Sequence, residues 1–193
     1  MIPILGKWHL GFSQYQQLPT GRGFDKWTGC FVCNSDVITK RSYELPWHPL
    51  ALDWGDFYAN KTYKHYVDPR HVTTAITANA IEMIDEHVLQ VEERQPAADF
   101  RSSDNSPSPL FLYVAYTAAH APLQPDPRHL VNCSHIAHYW RRQYCGLIMG
   151  LDEGVKNITE YALEQLGDNT IFILMSDNGA NPFFGGMCCI IIA

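Results

Sequence analysis

Two short apolar runs on either side of a long helical repeat constrain this chain more than any other feature. Residues 110–116 (LFLYVAY) and 170–175 (TIFILM) are continuous apolar, β-branched and aromatic stretches bounded by turn residues. They are too short for ordinary helices, so both predict buried strands. Between them, residues 136–166 place Tyr144, Leu147, Ile148, Leu151, Val155, Ile158, Ala162 and Leu166 at helical spacing, and Gly167 stands where helices commonly stop. A strand, a long helix and a second strand imply a parallel βαβ crossover, because parallel neighbours need a connection long enough to return along the sheet.

Upstream, Ile76, Ala80, Met83 or Ile84, and Val88 recur every three to four residues, which predicts a one-faced helix over 72–89. Residues 6–69 are rich in Gly, Pro, Trp and Tyr with little periodicity, and read as loop laid over a scaffold. Residues 92–109 read as a polar surface insertion, and the chain shows no internal repeat.

At 193 residues the chain has the length of one domain, and 46% apolar with 18% charged residues is the balance of a core-forming protein. A net charge of -6 supplies no basic field for phosphate backbones, which excludes nucleic acid as a partner. No apolar run approaches the roughly 20 residues of a membrane helix, so no transmembrane segment is expected. Residues 1–5 are too short for the apolar segment of a signal peptide.

Three N-x-S/T acceptors, at Asn60, Asn132 and Asn157, nevertheless point to passage through a secretory compartment. Six cysteines agree with an oxidising environment without fixing their pairing. Cys30-Phe-Val-Cys33 has the spacing of a redox dithiol or half a zinc site, but no second C-x-x-C follows, and a disulfide or structural thiols is the simpler reading. Cys133, His135 and His138 lie in a loop before the long helix, beside a sequon, and zinc there is the minor reading.

Ligands of open α/β sheets bind beyond the carboxyl ends of strands. After the first predicted strand comes His120-Ala-Pro-Leu-Gln124; after the second comes Asp177-Asn178-Gly179. Asp177 and Asn178 offer two hard oxygens of the kind Ca²⁺ or Mg²⁺ prefers, although an Asp-Asn-Gly tripeptide is also an ordinary turn. His120 suits a general acid or an anion contact. Near the start, GKWHLG (6–11) sets Lys7 and His9 about Trp8, so that an extended backbone would aim both toward one anionic group.

Taken in order, five blocks resemble the sulfatase family: Gly6-Lys-Trp-His-Leu-Gly11; Leu18-Pro19 with Arg22-Gly-Phe-Asp25 and Gly29; His120-Ala-Pro-Leu-Gln124; Asp152-Glu153; and Asp177-Asn-Gly179. The wording around residues 109–124 is most similar to the arylsulfatase B (N-acetylgalactosamine-4-sulfatase) group. The resemblance implies an α/β domain like that of alkaline phosphatase, with a mostly parallel sheet flanked by helices, of which residues 1–193 form a part. It implies hydrolysis of sulfate monoesters, aryl sulfates or sulfated glycosaminoglycan sugars, in a lysosome or outside the cell. By position, Lys7 and His120 would hold the sulfate, His9 would assist a formylglycine nucleophile, and Asp177 and Asn178 would ligate Ca²⁺.

The family's C-x-P-S-R source of formylglycine is absent from the chain, and so is an Asp-Asp pair for the first two metal ligands. The expectation is therefore an internal fragment of the catalytic domain, inactive as written, with 187–193 an atypical tail. The alternative is a noncatalytic secreted glycoprotein that binds sulfated glycans through Lys7 and His120.

Overall fold

A computed structural model of the chain describes residues 1–31, 36–40, 55–58, 63–65, 69–94 and 109–179. Its centre is a five-stranded sheet in the order β4-β3-β2-β1-β5. The strands are β1 (Pro3–Lys7), β2 (Lys26–Cys30), β3 (Gly55–Tyr58), β4 (Tyr63–His65) and β5 (Tyr113–Ala115). β1 lies parallel to both β2 and β5, whereas β2-β3 and β3-β4 are antiparallel. A parallel heart thus carries an antiparallel ribbon at one edge.

β2 and the last two residues of β1 come from the segment expected to be loop. Each strand is five residues long and contains a glycine and a lysine, PILGK and KWTGC, so neither shows a readable alternation. What makes them strands is mutual pairing over the full register from Pro3↔Lys26 to Lys7↔Cys30. Alternation then sorts their side chains between two cores. Ile4, Trp8 and Trp27 join Leu18 on one face, with Tyr15, Phe24 and Phe31 against them. Leu5 and Cys30 face the helices on the other.

The helical expectations hold. α1 (Val72–Arg94) buries Ala75, Ile76, Ala80, Met83 and Ile84 against Leu5, and α3 (Tyr139–Leu166) packs on α1 through Ile158 and Ala162. Fully burying an aliphatic side chain of this size contributes about 1.5–3 kcal/mol, so this stripe anchors α1 to the sheet. His71 caps α1, its Nδ1 accepting from Thr73 N–H at 3.2 Å. Gly167 ends α3 at φ +74°, its N–H donating to Leu163 O. A short α2 (Pro127–Leu130) is capped by Asp126, and the Cys133–Cys145 disulfide ties the turn after it to α3. That bond removes Cys133 from any zinc set, and His138 instead caps α3.

Two strand expectations need correction. The first run does supply β5, but only over residues 113–115, and as an outer strand with Phe111 and Tyr113 exposed. The second run forms no strand among the described residues: Ile171, Ile173 and Leu174 are 89%, 78% and 80% exposed. An apolar run can become a strand only if a neighbouring edge accepts its backbone hydrogen bonds, and no described strand pairs with 170–175. Among the described residues the parallel crossover from β5 is therefore not formed.

Candidate functional site

Parallel pairing of β1 with β5 brings two of the sequence-predicted groups to one end of the sheet. Gly6 pairs with Ala115, so Lys7 at the end of β1 and the turn that follows β5 leave the sheet on the same side. Gly6 makes this possible. Its φ is +87°, and a Cβ there would fall 2.0 Å from Ala115 O, so only glycine allows the two backbones to approach this closely.

The GKWHLG segment divides its labour. Trp8 is buried, and its indole Nε1–H donates to Gly11 O at 2.9 Å and Gln17 O at 2.8 Å, pinning the turn that follows. Lys7 is partly exposed, and His9 is exposed. Strand alternation does not decide where the His9 imidazole points. Its N–H still donates to Phe31 O at 2.8 Å, but a φ of +54° turns the backbone out of the extended form.

His120 is exposed in the turn after β5, where its N–H donates to Thr117 O at 2.8 Å. Its Nδ1 lies 2.7 Å from Ala121 O, so Nδ1 carries a proton and the exposed ring leaves Nε2 available to take up another, after which it can meet an anion. At the other candidate, Ser176 Oγ donates to Asn178 O and Asn178 Nδ2 to Gly179 O, which leaves the Asn178 side-chain Oδ1 and the Asp177 carboxylate on two exposed residues. No hydrogen bond or ion pair among the described residues joins Lys7, His9 and His120 to one another or to Asp177. No cluster of three or more His, Cys, Asp or Glu able to hold a metal occurs among them either.

Of the sequons, Asn132 is exposed in the turn before α3 and Asn157 is exposed on α3. Asn60 lies outside the described residues, as do Cys33, Cys188, Cys189 and the 187–193 tail. Cys30 is disulfide-bonded.

Two polar groupings were not legible in the sequence. The turn at 36–40 meets the end of the His120 loop through Gln124 and His71, with Asp36 at its centre. Burial alone would raise the Asp36 pKa, but hydrogen bonds from Thr39, Ile38 and Gln124 outweigh it and hold the carboxylate at about 2. Separately, a cavity of about 40 Å³ between α1, α2 and α3 is lined by His71, Thr73, Asp126, Arg128, His129 and Glu153, among others. Arg128 bridges Asp126 at 2.9 Å and Glu153 at 3.3 Å, so the Glu153 of the fourth sequence block closes an ion-pair network. At the start of the His120 loop, Tyr116 OH donates to Thr77 Oγ1 at 2.7 Å, and burial pushes its pKa up to about 12.

Comparisons with known proteins bear on the family and the fold. The chain is 33% identical to mouse arylsulfatase J over 185 residues, covering 95% of this chain and 27% of that protein. It is 29% identical to human N-acetylgalactosamine-6-sulfatase over 178 residues, covering 92% of this chain and 30% of that one. The chain thus spans less than a third of these relatives' length. Among solved structures, Ps i-CgsB in complex with k-i-k-neocarrahexaose superposes with a TM-score of 0.73 at 26% identity, over 98% of this chain and 40% of its own. The PsFucS1 sulfatase from Pseudoalteromonas sp. shares the fold at a TM-score of 0.53 and 14% identity, over 86% of this chain and 32% of its own. No helix among the described residues is long and apolar enough to cross a membrane. With the Sulfatase family model matched over residues 3–184, the chain belongs to the sulfatase family.

Proposed function

We propose that residues 1–193 are the part of a sulfatase catalytic domain that receives the sulfate ester, with Lys7 and His120 as its anion contacts and His9 as the group that would assist a formylglycine nucleophile. The observation that supports this most is the Gly6↔Ala115 register, which sends Lys7 and the His120 loop off the same end of the sheet. A sulfate ester is anionic, and its reacting oxygens gain charge as the ester bond breaks, so an ammonium and imidazoles fixed in advance favour the transition state. Once the ring takes up a second proton, the Nε2–H of His120 is suited either to pair with a sulfate oxygen or to protonate the leaving alcohol.

Asp177 and Asn178 belong to this reading as ligands of Ca²⁺. Their chemistry fits, since both present hard oxygens, but Ca²⁺ takes about six to eight oxygen ligands and two side chains leave the set incomplete. None of the six cysteines is followed by x-P-S-R, so this chain has no source of a formylglycine nucleophile, and such chemistry belongs to a full-length parent.

The expected result with 4-nitrophenyl sulfate and Ca²⁺ is no turnover above buffer, together with weak binding of inorganic sulfate. Loss of one charge-assisted contact in Lys7→Ala or His120→Ala should weaken that binding by about tenfold. Robust turnover would sink the missing-nucleophile argument, and unchanged binding in both variants would sink the anion site. The exposed sequon at Asn132 and the adjoining Cys133–Cys145 disulfide favour a lysosomal or secreted glycoprotein. They also keep open a noncatalytic binder of sulfated glycans; retention on immobilised chondroitin sulfate at physiological salt, without turnover, distinguishes that role.

A further inference from the structure

The loop that carries His120 is fixed at both ends, and its far end is held through a single residue. At the near end, Val114 and Ala115 lie in the β1 ladder and Tyr116 is bonded to Thr77. At the far end, every polar atom of Gln124 is engaged. Its Oε1 accepts from Val37 N–H at 3.2 Å, and its Nε2 donates to Asp36 Oδ2 at 3.2 Å. Its backbone oxygen accepts from His71 Nε2–H at 2.8 Å, and its N–H donates to Pro122 O at 2.9 Å.

The partners are themselves anchored. Asp36 Oδ1 accepts from Ile38 N–H at 3.0 Å and Thr39 N–H at 2.7 Å, and Val37 O accepts from Val72 N–H at 2.8 Å at the start of α1. Lys40, 1% exposed, donates through Nζ to Ile38 O and Arg70 O. His71 is locked in one tautomer, because Nδ1 must accept from Thr73 N–H while Nε2 donates to Gln124. Two segments distant in sequence therefore converge on Gln124, the Asp36 turn on its amide side chain and His71 on its backbone oxygen.

We propose that Gln124 is a positioning residue for His120: by clamping the end of the 117–124 loop to the Asp36 turn and to the start of α1, it sets where the His120 Nε2 stands. The inference rests on the reading of His120 as a sulfate contact. An anion contact must be held to within about 0.5 Å to discriminate well, and a loop held at its far end only by the backbone bond to His71 would sample more placements of residue 120. An amide suits the junction because it is both acceptor and donor: Val37 N–H needs an acceptor, and the Asp36 carboxylate needs a donor.

The test uses the whole chain with ¹³C-labelled histidine. Resonances of the His120 ring are followed alone and during titration with sodium sulfate, and the Trp8 indole N–H serves as an internal control on the Lys7 side. Gln124→Ala should shift and broaden the His120 signal and weaken sulfate binding about tenfold, leaving Trp8 unchanged. Gln124→Glu, nearly the same shape, sets a carboxylate against Asp36 and should do the same. Adding Asp36→Asn to Gln124→Glu reverses donor and acceptor across the pair and should restore both readouts toward the parent. This rescue also answers the question if Gln124→Ala does not fold.

Destabilised variants with unchanged His120 resonances and sulfate affinity would reduce Gln124 to a structural role and overturn the proposal, as would a double variant no better than Gln124→Glu alone. If the parent chain shows no response to sulfate while His120 still answers to residue 124 with rescue, the positioning stands and the sulfate reading falls.

Discussion

Replacing Gly6 by alanine probes the register on which the candidate site depends. Gly6 has φ +87°, and a left-handed backbone costs an L-residue about 1–2 kcal/mol. The added Cβ would stand 2.0 Å from Ala115 O and 2.9 Å from the Ala115 carbonyl carbon, both backbone atoms of the paired strand. No side chain can swing aside to relieve this, so β1 and β5 must separate. Losing two ladder hydrogen bonds at about 1 kcal/mol each brings the total to about 3–4 kcal/mol.

Gly23 supplies the control, because its φ is +102° and a Cβ there would meet nothing within 4 Å. Gly23→Ala should therefore cost only the backbone part, about 1–2 kcal/mol. Urea unfolding followed by far-ultraviolet circular dichroism gives both values by linear extrapolation, and neither substitution should alter the slope with denaturant. Against a total stability of about 5–15 kcal/mol for a domain, the difference is measurable. Equal losses at the two positions would refute the claim that β1 and β5 are packed backbone to backbone at Gly6.

Other expectations concern acid, solubility and redox state. Burial, partly offset by the Gln124 carbonyl, lowers the His71 pKa below 6.5, so stability is complete above pH 6.5 and falls as pH drops toward the lowered value. Asp36, at about 2 against 3.8, keeps its contribution above pH 3.8 and loses it toward pH 2. Melting temperatures from pH 8 to pH 4 should show the first phase in the parent chain and not in His71→Gln; a slope that persists in the variant contradicts the assignment. Ile173→Lys and Leu174→Lys should raise the solubility limit with little change in melting temperature, because those side chains are 78% and 80% exposed. A large fall in melting temperature would mean that 170–175 is packed after all. Removing the Cys133–Cys145 bond, which spans 12 residues, by the paired Cys→Ser substitutions should cost about 2–3 kcal/mol in urea unfolding; no loss would mean that the turn before α3 is held by other contacts.

The candidate site shows how much a linear pattern carries. His120 and Asp177-Asn178 were found because each follows an apolar run, and Lys7 and His9 because they stand in a block with a known order of neighbours. Gln124 belongs to the same block as His120, yet nothing in HAPLQ says that its amide meets Asp36, 88 residues away. His71 gave no signal beyond standing before a helix. Its role needs the Gln124 carbonyl, 53 residues further on.

By itself the sequence determined α1 and α3, because an amphipathic helix writes its burial into a local repeat and its stop into a single glycine. It also determined the family, because five blocks in a fixed order are a linear property. Tertiary structure decided which short segments became strands, since a strand exists only by virtue of its neighbour. PILGK and KWTGC pair and form the centre of the sheet, while the more apolar TIFILM finds no described partner and stays exposed. It decided, too, that Cys133 bonds Cys145 and that Gln124 clamps the His120 loop, because both depend on distances between segments, which no local repeat encodes.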